Sequence, residues 1–323
     1  MVSKARKKER GVAILAVLVG IALMTLIVVD FAMTSGLGFV SAANQANEMR
    51  AGYLARSGVN IGLALLAQAV RNNTQTNSPQ VDTLNDAWAV AFPPMAVEGG
   101  NVSLSIVDEA RKLPINAMVN QTGSANVQPG ALNAAAIAKV QRLFTILDVN
   151  PDLVQGIIEW ITPSGANGMG GGGEFYAGLR PPYQPRYGPM PTIGDLQMVQ
   201  GFNEEIFNRV SPFLTVMTES AVNINTAPPQ VIASLEPELM QDQKIVVEIV
   251  EERATRPFTK NTDLGNLPGI GEVGQRLQKD VAVSSHFFTI NGRGTYAGAR
   301  KIITATFQRQ TTGVGTLAAW HED

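Results

Sequence analysis

The feature that most constrains this chain is one apolar segment near its amino terminus. It extends from Val12 to Val29 without a charged residue and ends at Asp30. A bilayer core about 30 Å thick is crossed by about 20 apolar residues in a helix. The preceding residues 1–10 carry five basic groups and one acidic group, and a basic flank stays on the cytoplasmic side. The segment therefore predicts a membrane helix with the rest of the chain exported.

A cleavable secretion signal is the alternative to a retained anchor. Such a signal has a shorter apolar core followed by a small-residue cleavage site. Residues 35–38 and 41–43 are poor matches to that site, whereas a small residue, Gly11, stands before the apolar segment. This order resembles the leader of type IV pilins and type II secretion pseudopilins. The resemblance implies that a prepilin peptidase cuts between Gly11 and Val12, that Val12 is then methylated, and that the helix is kept.

The fifth residue after this cleavage site separates the chain from most pilins. Most pilins carry glutamate there, whereas this chain carries Ala16. A carboxylate within a bilayer is costly unless it is paired, and in pilins its partner is the amine of a neighbouring subunit. In lacking this glutamate the chain resembles the K-type minor pseudopilins (general secretion pathway protein K). The resemblance implies a position at a filament tip with no subunit above. Small residues at Ala13, Ala16, Gly20 and Ala22 permit close helix packing.

The rest of the chain shows helical and strand-like patterns in separate blocks. A helical pattern continues to about Arg71, and we favour one long helix over two despite Gly36 and Gly38. Strand patterns at 101–107, 281–290 and 301–308 flank a largely helical block, and Asn291–Gly294 supply turn residues between the last two strands. An α+β fold is predicted: a pilin-like long N-terminal helix, a small antiparallel sheet and a large inserted all-α domain. Its predicted parts are a leader at 1–11, a helix at 12–71 (12–29 transmembrane), a pilin-like α/β domain at 72–120 plus 281–310, an inserted α-helical domain at 121–280 and a tail at 311–323.

Several motifs of the helical block also resemble the K-type family. Together with the amino terminus they extend the resemblance over nearly the whole chain. The resemblance implies a subunit in the inner membrane of a Gram-negative bacterium, with its globular part in the periplasm. It further implies I-type and J-type minor pseudopilins as partners, and a role in initiating the pseudopilus and supporting export across the outer membrane. The motifs are Ile158–Ile161, Gly173–Tyr176, Arg180–Tyr183, Ile193–Leu196 and Val222–Ala227.

Calcium is associated with the central motif in some members of that family. A calcium site needs six to eight oxygen ligands, several of them from carboxylates. The positions after Trp160 and Ile161 that are usually acidic hold Thr162 and uncharged neighbours, which leaves Glu159 and Glu174 as the carboxylates. A tight calcium site is therefore disfavoured, weak binding with carbonyl oxygens of the Gly-rich loop as further ligands stays open, and no other cofactor is expected.

No arrangement of side chains predicts catalysis. The adjacent carboxylates Asp108 and Glu109 suggest a solvated turn, since no base or nucleophile accompanies them. The chain has no cysteine, and neither His286 nor His321 has a metal-ligand companion at useful spacing. We therefore predict that the protein is not an enzyme.

A different function is suggested by the segment that contains Gly269 and Gly271. It resembles the hairpin of a helix-hairpin-helix module, in which glycine amides contact a DNA phosphate. Arg276 and Lys279 follow as basic residues, but Glu272 would oppose a phosphate, and the net charge of −2 does not indicate nucleic acid. A compact scaffold is the favoured interpretation. The alternative function is a membrane-anchored DNA-binding protein of a type IV pilus-like uptake machine.

Overall fold

One helix dominates the structure, a computed structural model that describes residues 2–75, 79–90, 92–97, 99–122, 128–163, 173–219, 221–267, 269–310 and 315–323. This helix, α1, extends from Val2 to Gln75 and continues through Gly36 and Gly38 without a break. At 1.5 Å per residue its 74 residues span about 110 Å. The prediction of one long helix is therefore confirmed.

An antiparallel sheet of five strands lies against the second half of α1. Its strand order is β1-β2-β7-β8-β9, so the strands that precede and follow the helical domain are direct neighbours. The α+β fold with an inserted helical domain is thereby confirmed. The strands of this sheet are β1 (Met95–Val97), β2 (Gly100–Asp108), β7 (Phe287–Tyr296), β8 (Ala299–Arg309) and β9 (Gly315–Glu322).

The predicted turn at Asn291–Gly294 is wrong. These residues lie inside β7, and the chain reverses at Ala297 and Gly298, which both have positive φ. Gly292 and Gly294 serve a different purpose, because a Cβ at Gly294 would meet the backbone of α1 at Ala51. The two glycines therefore let the helix backbone approach the sheet closely.

The register between α1 and the sheet gives the sheet a direction relative to the membrane segment. Ala51 of α1 packs against Gly294 of β7, whereas Gly62, three turns further along the helix, packs against Ile290. β7 therefore runs antiparallel to α1, and its first residue lies at the end of the sheet farther from Gly11. Because Asp108 at the end of β2 pairs with Phe288, the helical domain joins the sheet at this distal end.

The helical domain has its own hydrophobic core, separate from the core between α1 and the sheet. Its largest fully buried side chains include Phe144, Tyr176 and Leu196. The short strands of this part are β3 (Leu113–Pro114), β4 (Leu214–Thr215), β5 (Val222–Asn223) and β6 (Val281–Ala282). The helices are α2 (Ala134–Ile146), α3 (Leu153–Ile161), α4 (Gly173–Ala177), α5 (Glu204–Val210), α6 (Pro229–Leu235), α7 (Pro237–Gln241), α8 (Gln243–Thr255) and α9 (Gly271–Leu277).

The predicted tail at 311–323 contains an unpredicted strand. β9 pairs antiparallel with β8 and forms one edge of the sheet. Six of its eight residues are exposed, Leu317 and Trp320 among them. Since neither face of the strand is buried, its sequence lacks the alternation that identifies a half-buried strand.

Candidate functional surfaces

The first part of α1 forms a free apolar surface. The helix is long and apolar enough to cross a membrane, and the side chains of residues 12–29 are all exposed. A Cβ added at Gly11 or Gly20 would meet no neighbouring atom within 4 Å, and Ala13, Ala16 and Ala22 are likewise exposed. The residues predicted for processing and for packing thus lie on a helix surface that another helix can approach.

A buried polar cluster, which we call the junction cluster, holds the helical domain to the distal end of the sheet. Its centre is Asp108, the last residue of β2, which is 1 % exposed. Asp108 Oδ2 accepts hydrogen bonds from Thr226 Oγ1 at 2.5 Å, Ser285 Oγ at 2.7 Å and Asn223 Nδ2 at 3.1 Å. Its Oδ1 accepts from the Ala110 amide at 2.8 Å. One carboxylate thus connects β2, the helical domain and the segment before β7.

The second carboxylate of the junction cluster, Asp82, is fully buried and has a cationic partner. Arg309 at the end of β8 donates Nη1 to Asp82 Oδ1 at 2.6 Å and Nη2 to Oδ2 at 2.5 Å. Asp82 Oδ2 also accepts from the Ser285 amide at 2.8 Å. The cluster therefore fastens the loop before β1 to the end of β8 as well.

The solvated turn predicted at Asp108 and Glu109 is wrong, because both residues are buried. The pKa of Asp108 is raised to about 6, chiefly by burial and also by the charge of Asp82, while hydrogen bonds from Thr226 and Ser285 act in the opposite direction. Glu109 pairs with Lys112 Nζ at 2.8 Å. The side-chain donors to Asp108 come from residues more than 100 positions away, which is why local sequence suggested solvent instead.

The two carboxylates considered for calcium lie on different helices, Glu159 on α3 and Glu174 on α4. Glu159 accepts a hydrogen bond from Gln155 Nε2 at 3.3 Å, and Glu174 lies in the first turn of α4 with an exposed side chain. No group of three or more histidine, aspartate or glutamate side chains suited to a metal occurs among the described residues. The Gly-rich segment 164–172, whose carbonyls were considered as further ligands, lies outside those residues.

The hairpin considered for DNA has acidic surroundings. Gly269 and Gly271 both adopt positive φ, as a tight turn requires, but a Cβ at Gly269 would lie 3.7 Å from Glu248 Oε2. Arg276 is already paired with Glu238, at 2.5 Å between Nη2 and Oε1. Lys279 lines a cleft together with residues of α2 and β3, and neither glycine of the turn contributes to that cleft. This arrangement disfavours phosphate binding and supports the scaffold interpretation.

An exposed apolar helix, continued into a helix that packs on an antiparallel sheet, defines a membrane-anchored pilin-like subunit. The helical domain inserted between β2 and β7 distinguishes it from a simple pilin. Two family models described as type II secretion system (T2SS), protein K, match residues 111–219 and 222–284. They span more than half of the chain, which therefore belongs to the protein K family of the type II secretion system, the K-type minor pseudopilins.

Similar proteins extend the match beyond the helical domain. Type II secretion system protein K of Pseudomonas aeruginosa is 25 % identical over 319 residues, covering 95 % of this chain and 91 % of the relative. The protein of the same description from Klebsiella pneumoniae is 23 % identical over 239 residues, covering 71 % and 69 %. A chain in the crystal structure of the GspK-GspI-GspJ complex from enterotoxigenic Escherichia coli has a TM-score of 0.68 and 16 % identity, covering 88 % of this chain and 99 % of that one. At this identity the structural likeness shows the fold.

Proposed function

We propose that this chain is the minor pseudopilin at the tip of a type II secretion pseudopilus. There it initiates assembly and supports protein export across the outer membrane. The observation that carries the proposal is the register between α1 and β7, since it puts the helical domain at the end of the sheet farther from the membrane helix. A domain of that size above α1 would block the addition of another subunit on top.

The amino terminus supports the same position. Prepilin peptidase would cut after Gly11, and methylated Val12 would begin a helix that stays in the inner membrane. Ala16 gives this helix no carboxylate to pair with the amine of a subunit above it. The chain can therefore start a filament, with other subunits added only below.

The partners in this proposal are the I-type and J-type minor pseudopilins. The solved complex of a structurally similar chain contains GspI and GspJ, which supports such an assembly for this chain. The globular part would lie in the periplasm, and its role would be packing rather than catalysis. The junction cluster fits a non-enzymatic role, since its carboxylates are buried and already hydrogen-bonded within the fold.

The processing step is tested by replacing Gly11 with lysine in a strain that carries prepilin peptidase. Wild-type protein should begin at methylated Val12 by mass spectrometry, whereas Gly11→Lys should keep the leader. Ser3→Lys adds the same charge without changing the cleavage site and should be processed normally. Normal cleavage of Gly11→Lys, or wild-type protein that begins after Asp30, would contradict the proposed processing.

The tip role is tested by co-expressing the full chain with the I-type and J-type subunits and purifying the complex in detergent. We expect one complex that contains all three subunits, and pseudopili that fail to form when this chain is omitted. Pseudopilus formation unchanged by the omission, or the absence of any complex, would contradict the tip role.

A further inference from the structure

Asp30 is an isolated charge in an otherwise uncharged part of α1. From Gly11 to Asn47 it is the single ionisable side chain, and the helix is continuous throughout. The nearest basic residues along the helix are Arg10 and Arg50, each 20 residues and therefore about 30 Å away. Within the described residues Asp30 forms no ion pair. The chain's own helix therefore offers it no cation.

The membrane alone does not cover the apolar surface on both sides of Asp30. Residues 12–40 are uncharged apart from Asp30 and span about 43 Å as a helix, against about 30 Å of hydrocarbon. If Asp30 lies at the membrane surface, Phe31, Leu37 and Phe39 lie in water with 73–76 % of their surface exposed. If those residues are in the bilayer, the carboxylate is in hydrocarbon as well. A partner helix removes both costs, because it covers the apolar residues and supplies a counter-charge.

Helical geometry gives the face on which this partner lies. At 100° per residue, Asp30 is within about 20° of the direction of Ala55 and in line with Leu66. Both of these residues are buried in the core between α1 and the sheet. Asp30 therefore faces the same side as the sheet. The sheet ends near Arg50, whose Nη1 donates to Tyr296 Oη at 2.9 Å, so the space beside Asp30 is beneath the globular part.

We propose that Asp30 forms an ion pair with a basic side chain on the membrane helix of a neighbouring pilin-like subunit, which lies beneath the sheet of this chain. The inference rests on the proposed function, since it concerns the subunit immediately below the tip. A side chain is the expected cation rather than an N-terminal amine. Val12 is 18 residues from Asp30, about 27 Å along the helix, and the amine of a subunit below this chain is farther still.

Charge variants of the full chain, co-expressed with the I-type and J-type subunits, test the pair. Asp30→Asn should lower the recovery of the complex by about tenfold or more, because it leaves the partner's cation unpaired. Asp30→Glu should retain the complex. The double variant Asp30→Asn with Ser35→Asp keeps the net charge but moves the carboxylate about 140° around the helix, so it should not restore assembly. Recovery of the complex by Asp30→Asn or by the double variant at the wild-type level would overturn the inference.

Single introduced cysteines can locate the neighbouring subunit, because the chain has no cysteine of its own that would react as well. Thr34→Cys, one turn from Asp30 on the same face, should cross-link to a pilin-like subunit through a maleimide reagent that reaches its lysines. Ser35→Cys on the far face is the matched control and should cross-link at least about fivefold less. Equal cross-linking at both positions would overturn the inferred face. Loss of the wild-type complex itself would instead refute the proposed function, so the two failures are distinguishable.

Discussion

Replacing Gly294 by alanine should separate α1 from the sheet. The new Cβ would meet the Ala51 carbonyl oxygen, the Ala55 amide nitrogen at 2.6 Å and Leu54 Cβ at 2.8 Å. Two of these three obstacles are backbone atoms of a continuous helix, so a change of side-chain rotamer cannot relieve them. The helix or the strand must move instead.

The expected loss of stability is set by the backbone that must move. Overpacking a well-packed interior costs about 1–3 kcal/mol, and the upper end applies here because the obstacle is backbone. A loss of about 3 kcal/mol makes local opening of the sheet about a hundredfold more frequent. Gly52→Ala is the matched control on the same helix, since its nearest neighbour is Glu322 Oε1 at 3.9 Å. Alanine is favoured over glycine in a helix interior by about 1 kcal/mol, so Gly52→Ala should stabilise α1.

Hydrogen–deuterium exchange of the full chain in detergent measures these changes. In Gly294→Ala the amides of β7 and β8 should exchange about a hundredfold faster, whereas those of α2 in the helical domain should keep their rate. Gly52→Ala should slow exchange in the segment that packs on the sheet. If β7 in Gly294→Ala exchanges within about twofold of wild type, the close helix–sheet contact does not hold as described.

Two further predictions concern the junction cluster. Arg309→Met leaves Asp82 buried and unpaired and should lower the free energy of unfolding by about 3–5 kcal/mol in denaturant titrations. Arg56→Met, which removes an ion pair whose side chains are 52 % and 36 % exposed, should cost less than about 1 kcal/mol; equal costs would contradict this reasoning. Because the pKa of Asp108 is raised from 3.8 to about 6 in the fold, its stabilising contribution is complete below pH 3.8 and is lost as the pH rises to about 6. The stability of wild type relative to Asp108→Asn should therefore fall by about 3 kcal/mol between about pH 4 and pH 6.5, and a flat difference in denaturant titrations would refute the buried state of this carboxyl.

Local patterns were sufficient to predict the elements that bury one face. The strand predicted at 101–107 lies within β2, where Val102 and Leu104 are buried and the alternating residues Asn101, Ser103 and Ser105 are more exposed. The helical pattern that predicts α1 includes Ala51 and Gly58, which are both buried against the sheet. In both cases the period of buried residues is a property of the segment itself, so the sequence displays it.

Features made by distant contacts could not be predicted in this way. Gly292 and Gly294 resemble turn residues, since nothing local distinguishes a glycine needed for positive φ from one needed for close packing. Asp108 resembles a surface residue because its donors, such as Thr226 and Ser285, lie far along the chain. The edge strand β9 was missed for the opposite reason, because it buries too little to impose a pattern.

The point at which the helical domain leaves and rejoins the sheet has a consequence for engineering. Asp108 and Phe288 are register partners on adjacent strands, so a turn of a few residues could close β2 onto β7 in place of residues 109–286. The chain that remains after this replacement would resemble a simple pilin with the same membrane helix. The replacement would also expose Asp108 to water, where an unpaired carboxylate does not lower the stability of the fold. Asp82 would keep its ion pair with Arg309. The helical domain is thus an insertion that can be removed, because the pilin-like part of the chain could exist without it.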